Sequence, residues 1–208
     1  MAVIVCYGDS NTHGTQPMTV AGVSHRHPVP DRWPEAMAQA LGPAHTVLSE
    51  GLPGRTTVHE DVVEGGARNG LAVLPAILHS HKPIDLLIVM LGTNDLKPHF
   101  GVSGFEIARS VERILRAARA EGVHARDLIV APAPVREAGC LAPVFAGAET
   151  RQRGMGEHMG RVAGALGSGF VDAGNHVTVS PDDGVHWDGA AHRQFGLVMA
   201  KAVRTALA

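Results

Sequence analysis

Short apolar runs alternate with segments of helical periodicity along the whole chain. Five runs have the length and composition of β-strands, at residues 2–7, 45–50, 84–91, 126–132 and 169–173. The third run, IDLLIVML, is apolar at nearly every position, which is typical of a central strand buried on both faces. This pattern favours a sheet that is covered by helices on both sides.

Helical patterns fill the segments between these runs. They cover residues 31–41, 69–81, 103–122, roughly 149–166, and 188 to about 207. The third is the clearest, because Ser103 and Glu106 form a capping-box signature and Gly122 ends the pattern. Pro75 is a local conflict in the second pattern, because a proline inside a helix removes a hydrogen bond and can kink or shorten the helix.

The order of these elements predicts the fold class. Strands that alternate with helices favour parallel strands joined by right-handed crossovers. We therefore expect an α/β protein with three α/β/α layers and a central parallel sheet of about five strands. A length of 208 residues suits a single domain over residues 1–208, since no internal repeat or linker divides the chain.

Composition argues against several classes of protein. An apolar content of 45% and a charged content of 18% fit a globular chain rather than a disordered one. A net charge of −2 without a basic stripe argues against a nucleic-acid partner. No apolar stretch is long enough for a membrane span and no signal-peptide pattern is present, so we expect no membrane partner and a cytoplasmic location.

Polar turns that contain glycine follow the predicted strands at the edge where open α/β sheets bind ligands. The turns read GDSN at 8–11, GLPGR at 51–55, GTND at 92–95 and, after the last strand, SPDDGVHWDG at 180–189. Because the carboxyl ends of parallel strands share one edge, the serine, asparagine and histidine of these turns should converge there.

These residue types are the ones that acyl transfer needs. Ser10 becomes an effective nucleophile only when a base takes its proton, and His186 can be that base. Asp183, three residues earlier, can reach the other ring nitrogen and fix the imidazole tautomer. The backbone N–H groups of Ser10 and Gly54 and the side-chain amide of Asn94 would donate hydrogen bonds to the oxyanion.

Together these motifs resemble the four blocks of the SGNH (GDSL-type) hydrolase family, in the family's order and at similar spacings. Longer stretches, among them DRWPEAMAQAL, EGLPGRTT and PIDLLIVMLGTNDLK, resemble its arylesterase/acyltransferase branch over nearly the whole chain. The resemblance implies a flavodoxin-like fold and hydrolysis of small esters, with acyl transfer to alcohols or peroxide. It makes Ser10, Asp183 and His186 the catalytic triad and completes the oxyanion hole with Gly54 and Asn94.

The resemblance also predicts the oligomeric state, and the spacing of the histidines indicates whether the chain binds a metal. Known members of the branch form rings of dimers, so we expect a homo-oligomer, up to an octamer. Histidine pairs at 25 and 27 and at 79 and 81 lack cysteine or carboxylate ligands at zinc-like spacing. Because the phosphate-binding glycine motifs are missing as well, we expect no metal and no cofactor.

Departures from the family pattern suggest further substrate-binding residues. Asn11 stands where Leu or Ile is usual, and His13 makes the segment after the nucleophile more polar. These differences favour hydrolysis over acyl transfer. Trp187 adjoins the candidate base and could wall the acyl pocket, while Lys97 and Phe145 are candidates for its entrance.

Three polar residues of the turns have structural interpretations. Asp9 is expected to bond the backbone of its turn, and Asp95 is expected to be a loop-fixing carboxylate. Arg55 is expected to hold its loop through a salt bridge.

A serine esterase for small acyl esters is the leading interpretation, and three alternatives stay open. A carbohydrate O-deacetylase would use the same triad. A flavodoxin-like binding protein could hold a flavin phosphate in the strand-end turns, although it would not explain the spacing of Asp183 and His186. An acyl-binding partner protein without turnover would leave Ser10 unlabelled by a fluorophosphonate.

Overall fold

The computed structural model describes residues 1–208 and contains one sheet of five parallel strands in the order β2-β1-β3-β4-β5. The strands are β1 (Ala2–Gly8), β2 (His45–Gly51), β3 (Ile84–Met90), β4 (His124–Ala131) and β5 (Gly169–Asp172). The predicted α/β class, parallel topology and strand number are confirmed.

Helices cover both faces of this sheet. They are α1 (Ser10–His13), α2 (Trp33–Leu41), α3 (Gly70–His81), α4 (Gly104–Glu121), α5 (Ala148–Arg151), α6 (Met155–Leu166) and α7 (Gly189–Leu207). One apolar core lies between the sheet and α3, α4 and α6, and a second lies between the sheet and α2 and α7. No helix combines the length and the apolar character that a membrane crossing requires.

Strand β1 shows how the sequence builds the two cores. Val5 and Tyr7 point into the core beneath α3 and α4, whereas Ile4 and Cys6 point into the core beneath α2 and α7. Successive side chains of a strand face opposite sides of the sheet, so an apolar run without polar interruption supplies both cores.

Two helical predictions met different outcomes. Helix α3 runs through Pro75 without shortening, and the Asn69 side chain caps its first turn. The single helix predicted over 149–166 is instead two helices, α5 and α6. Gly154, with φ of +72°, separates them, because this left-handed backbone conformation cannot continue a right-handed helix.

Candidate active site

Ser10 is the first residue of α1, directly after β1. The Asp9 carboxylate accepts the Asn11 N–H at 3.0 Å and so caps this short helix. Gly8 permits the close approach of the helix to the strand end, since a β-carbon there would lie 2.0 Å from the Thr12 hydroxyl oxygen. The side chain of Ser10 is therefore held in a buried helical turn rather than in a mobile surface turn.

A chain of hydrogen bonds joins Ser10 to the loop before α7. His186 Nε2 lies 3.0 Å from Ser10 Oγ, and His186 Nδ1 lies 2.7 Å from Asp183 Oδ2. All three residues are buried. This is the geometry in which a base can take the hydroxyl proton while a carboxylate orients the ring.

Asp183 is held by backbone groups as well as by the imidazole. Its Oδ1 accepts the N–H groups of Val185 and His186, each at 2.9 Å, and its Oδ2 accepts the Met18 N–H at 2.8 Å. Burial alone would raise the pKa of Asp183, but the hydrogen bonds from His186 and the backbone outweigh burial and lower the pKa. Asp183 therefore stays ionised and can stabilise a protonated imidazole.

The neighbouring carboxylate takes no part in this arrangement. Asp182 is exposed, and its carboxylate accepts no hydrogen bond. Its backbone carbonyl accepts the Cys140 N–H at 3.0 Å instead. Of the two adjacent aspartates, only Asp183 faces His186.

Three hydrogen-bond donors stand beside Ser10. The backbone N–H groups of Ser10 and Gly54 donate to no group within the chain. One N–H of the Asn94 side chain donates to the Arg55 carbonyl at 3.0 Å, which fixes the amide and leaves its second N–H free. Ser10, Gly54 and Asn94 all line one cavity, so these donors are placed where an oxyanion could form.

Hydrogen bonds of Asp95 and Arg55 hold the loops that carry these donors. Asp95 accepts the Thr57 N–H at 3.0 Å and also its hydroxyl, which confirms the structural interpretation of this carboxylate. The prediction of a salt bridge for Arg55 is wrong. Its guanidinium donates to the carbonyl oxygens of Gly8 and Glu50 and lies over the Tyr7 ring, at 4.1 Å from the centroid.

The cavity above Ser10 and His186 has a volume of about 600 Å³ and a mixed lining. Its charged lining residues, besides His186, are Glu64, Arg68 and Lys97. Its apolar lining residues include Leu141, Val144 and Phe145. Lys97 and Phe145, both expected at the entrance, thus lie in the lining.

The other three residues expected to bind substrate lie outside this lining, which is a correction. Trp187 is buried in the core against Phe195, with ring centroids 5.0 Å apart. Asn11 binds the backbone on either side of His186. His13 lies 3.2 Å from the hydroxyl of Thr15, a lining residue, through Nδ1.

A larger cavity lacks the residue types that acyl transfer needs, and the histidines on α3 face carboxylates rather than a serine. A cavity of about 800 Å³ beside the ends of β4 and β5 has no serine, cysteine or histidine in its lining. Each histidine of the pair on α3 lies beside one carboxylate: His79 Nε2 is 2.9 Å from Glu121, and His81 Nε2 is 2.7 Å from Glu50. No group of three or more histidine, cysteine, aspartate or glutamate side chains is arranged to hold a metal ion.

Comparisons with known proteins agree with this geometry. The sequence profile of the GDSL-like lipase/acylhydrolase family matches residues 6–194. The inhibitor-bound aryl esterase of M. smegmatis superimposes with a TM-score of 0.94 at 30% identity, over 100% of both chains. A carbohydrate acetylesterase family member from Sinorhizobium meliloti gives 0.91 at 36% identity, over 100% of this chain and 99% of that chain. A second carbohydrate acetylesterase from the same organism gives 0.92 at 29% identity, over 99% of each chain. No curated protein matches the sequence.

Proposed function

We propose that this chain, which belongs to the GDSL-like lipase/acylhydrolase family, hydrolyses small, short-chain acyl esters through an acyl-enzyme on Ser10. Membership of this family of SGNH esterases makes it a carboxylic ester hydrolase. One observation carries the assignment of residues: Ser10 Oγ is 3.0 Å from His186 Nε2 at the floor of a cavity that also holds three free donors.

The geometry suggests how acylation would proceed. Ser10 Oγ attacks the ester carbonyl carbon while His186 Nε2 takes the hydroxyl proton. The carbonyl oxygen becomes an oxyanion that the N–H groups of Ser10, Gly54 and Asn94 stabilise. His186 then gives its proton to the departing alcohol oxygen, and the acyl group remains on Ser10.

Deacylation would repeat these steps with water. His186 takes a proton from the attacking water, the second tetrahedral intermediate collapses, and Ser10 Oγ recovers its proton as the acid leaves. Asp183 stays ionised throughout and stabilises the imidazolium that forms in each half-reaction. An alcohol or peroxide in place of this water would give acyl transfer.

Support for small substrates comes from the relatives and from the cavity. The M. smegmatis structure is of an aryl esterase, and the apolar lining residues Leu141, Val144 and Phe145 offer a surface for an aryl or short alkyl group. The two S. meliloti relatives favour a second candidate, a carbohydrate O-deacetylase. For that substrate, Glu64, Arg68 and Lys97 could bind sugar hydroxyl groups.

We also propose that the chain assembles into a homo-oligomer. The proposal rests on the resemblance to the oligomeric branch, and Val62 and Val63, exposed by 85% and 68%, are apolar side chains that a partner could cover. Light scattering should give a mass well above the 21.8 kDa of one chain. A monomer would leave the cavity open and weaken the preference for short acyl groups.

A substrate panel tests the proposed function. Aryl acetate, propionate and octanoate esters are compared with acetylated monosaccharides, in the presence and absence of an alcohol acceptor. We expect acetyl and propionyl aryl esters to be hydrolysed fastest, and Ser10→Ala to be inactive on all of them. Preference for acetylated sugars would select the deacetylase, and the absence of turnover on every ester would refute both candidates.

A further inference from the structure

We infer that Arg68 selects esters that carry a carboxylate group, by pairing with that carboxylate in the cavity. The inference rests on the proposed function, because it names the class of ester that the same cavity takes. It assigns no step of the acyl transfer to Arg68, which is a specificity-determining residue.

Arg68 is the charged residue of the lining that has no partner. Its side chain forms no hydrogen bond or salt bridge within the chain, and its buried Nε is left without an acceptor. Arginine presents a planar set of donors that suits a carboxylate, and a buried donor without an acceptor is costly. A ligand carboxylate would supply the missing acceptor.

The backbone holds Arg68 beside the candidate oxyanion hole. The Thr56 N–H and hydroxyl both donate to the Arg68 carbonyl, at 3.0 and 3.2 Å. A β-carbon added to Gly54 would lie 3.1 Å from Arg68 Nε, so the glycine leaves room for this side chain to pack against the oxyanion loop. The guanidinium is therefore placed near the reacting ester before substrate arrives.

The other charges of the lining are already paired. Lys97 Nζ lies 2.8 Å from Asp61 Oδ2 and 2.8 Å from Glu64 Oε1. Arg55 adds positive charge beneath the same loop, because carbonyl oxygens rather than a carboxylate hold it. Arg68, unlike Lys97, therefore forms no salt bridge within the chain, so a ligand anion can pair with it.

The mixed lining defines the character of the expected substrate. The carboxylate would face Arg68, and an apolar part would contact apolar residues of the lining such as Phe145. The carboxylate could belong to the acyl group or to the alcohol. Both kinds of ester present the same chemistry to Arg68, and the experiment separates them.

The test uses two pairs of substrates, and the two members of each pair differ only in a methyl group on one carboxylate. In 4-acetoxybenzoate and its methyl ester the charge is on the alcohol, and in monomethyl and dimethyl succinate it is on the acyl group. The pairs are assayed with the wild type, Arg68→Met and Arg68→Lys. The control Arg113→Met removes the same charge from an exposed position on α4. Thermal melts establish that each variant is folded.

For the pair whose charge reaches Arg68, Arg68→Met should lower kcat/KM of the carboxylate member relative to its methyl ester by about 10- to 100-fold, the loss expected for a hydrogen bond to a charged group. Arg68→Lys should restore part of this ratio, and Arg113→Met should leave it unchanged. Equal losses for both members, or unchanged ratios in both pairs, would overturn the inference.

A binding measurement separates this inference from the proposed function. If the wild type hydrolyses none of these four esters and none of the esters of the substrate panel, the proposed function fails. Calorimetric binding of 4-hydroxybenzoate, which requires no turnover, then decides the inference. It should be weaker in Arg68→Met by the same factor, and equal affinities for the wild type and Arg68→Met would contradict a carboxylate site.

Discussion

Asn11 Nδ2 donates to the carbonyl oxygen of Val185 at 3.1 Å, so the residue after the candidate nucleophile holds the loop that carries the candidate base. The same side chain accepts the Trp187 N–H at 3.2 Å. Asn11 therefore binds the backbone on both sides of His186 and fixes the distance between α1 and this loop.

Replacing Asn11 tests this positioning role. Asn11→Ala should lower kcat by about 10- to 100-fold, because a small displacement of His186 disrupts proton transfer from Ser10. KM should change little, since Asn11 lies outside the cavity lining. Steady-state kinetics on an aryl acetate measures both constants, with Asn175→Ala as a control at an exposed asparagine. A rise in KM at constant kcat would mean that Asn11 binds substrate.

The adjacent aspartates give a second prediction. Asp183→Asn should lower kcat by at most about 10⁴, the scale set by tautomer loss in serine proteases. Asp182→Asn, at an exposed carboxylate, should change kcat by less than about threefold. Both variants are measured on one aryl acetate. A large loss in Asp182→Asn alone would show that the loop orients the ring differently.

The side-chain amide of Asn94 gives a third prediction. Asn94→Ala should lower kcat by about 10²- to 10³-fold with a smaller effect on KM, because the amide binds the oxyanion better than the ground-state carbonyl. Since the same amide donates to Arg55, a thermal melt must first establish that the variant is folded. An effect confined to KM would reduce Asn94 to a substrate-binding role.

Asp9 gives a prediction about stability and pH. Burial, only partly offset by the Asn11 N–H, raises the pKa of Asp9 from 3.8 to about 6. A raised pKa means that the folded state holds the proton more tightly. The contribution to stability is therefore complete below the unfolded pKa and is lost as pH rises through about 6.

Chemical denaturation at several pH values measures this loss. Between pH 4.5 and 7.5 the free energy of unfolding of the wild type should fall by up to about 2 kcal/mol relative to that of Asp9→Asn. The asparagine keeps an oxygen for the helix cap and removes the titration. Asp182→Asn controls for the loss of one negative charge. Parallel curves for the wild type and Asp9→Asn would contradict the buried, titrating carboxylate.

The regular elements could be predicted because apolar periodicity reports directly on burial. The break at Gly154 in the helix predicted over 149–166 could not be predicted, because the apolar pattern does not show which backbone conformation a glycine adopts. The four-residue helix at Ser10 depends on its cap by Asp9, and a helix this short has almost no periodicity to detect.

The residues of the candidate site also differ in whether the sequence could predict their positions. The juxtaposition of Ser10, Asp183 and His186 could be predicted because their residue types and order are typical of acyl-transfer chemistry. The prediction that Trp187 walls the acyl pocket rested on its position next to His186, and it failed because neighbouring residues of a loop point in different directions. The role of Asn11 depends on a partner 174 residues away, and nothing in the sequence around Arg68 marks it as unpaired.

The central claim is that Ser10 is the nucleophile that carries the acyl group. Incubation with a fluorophosphonate, followed by mass spectrometry of the digested protein, tests it most directly. The probe should modify only the peptide that contains Ser10, and Ser10→Ala should remain unlabelled and inactive while keeping its fold. A protein that resists the probe, or a Ser10→Ala variant that still hydrolyses an aryl acetate at the wild-type rate, would contradict the account.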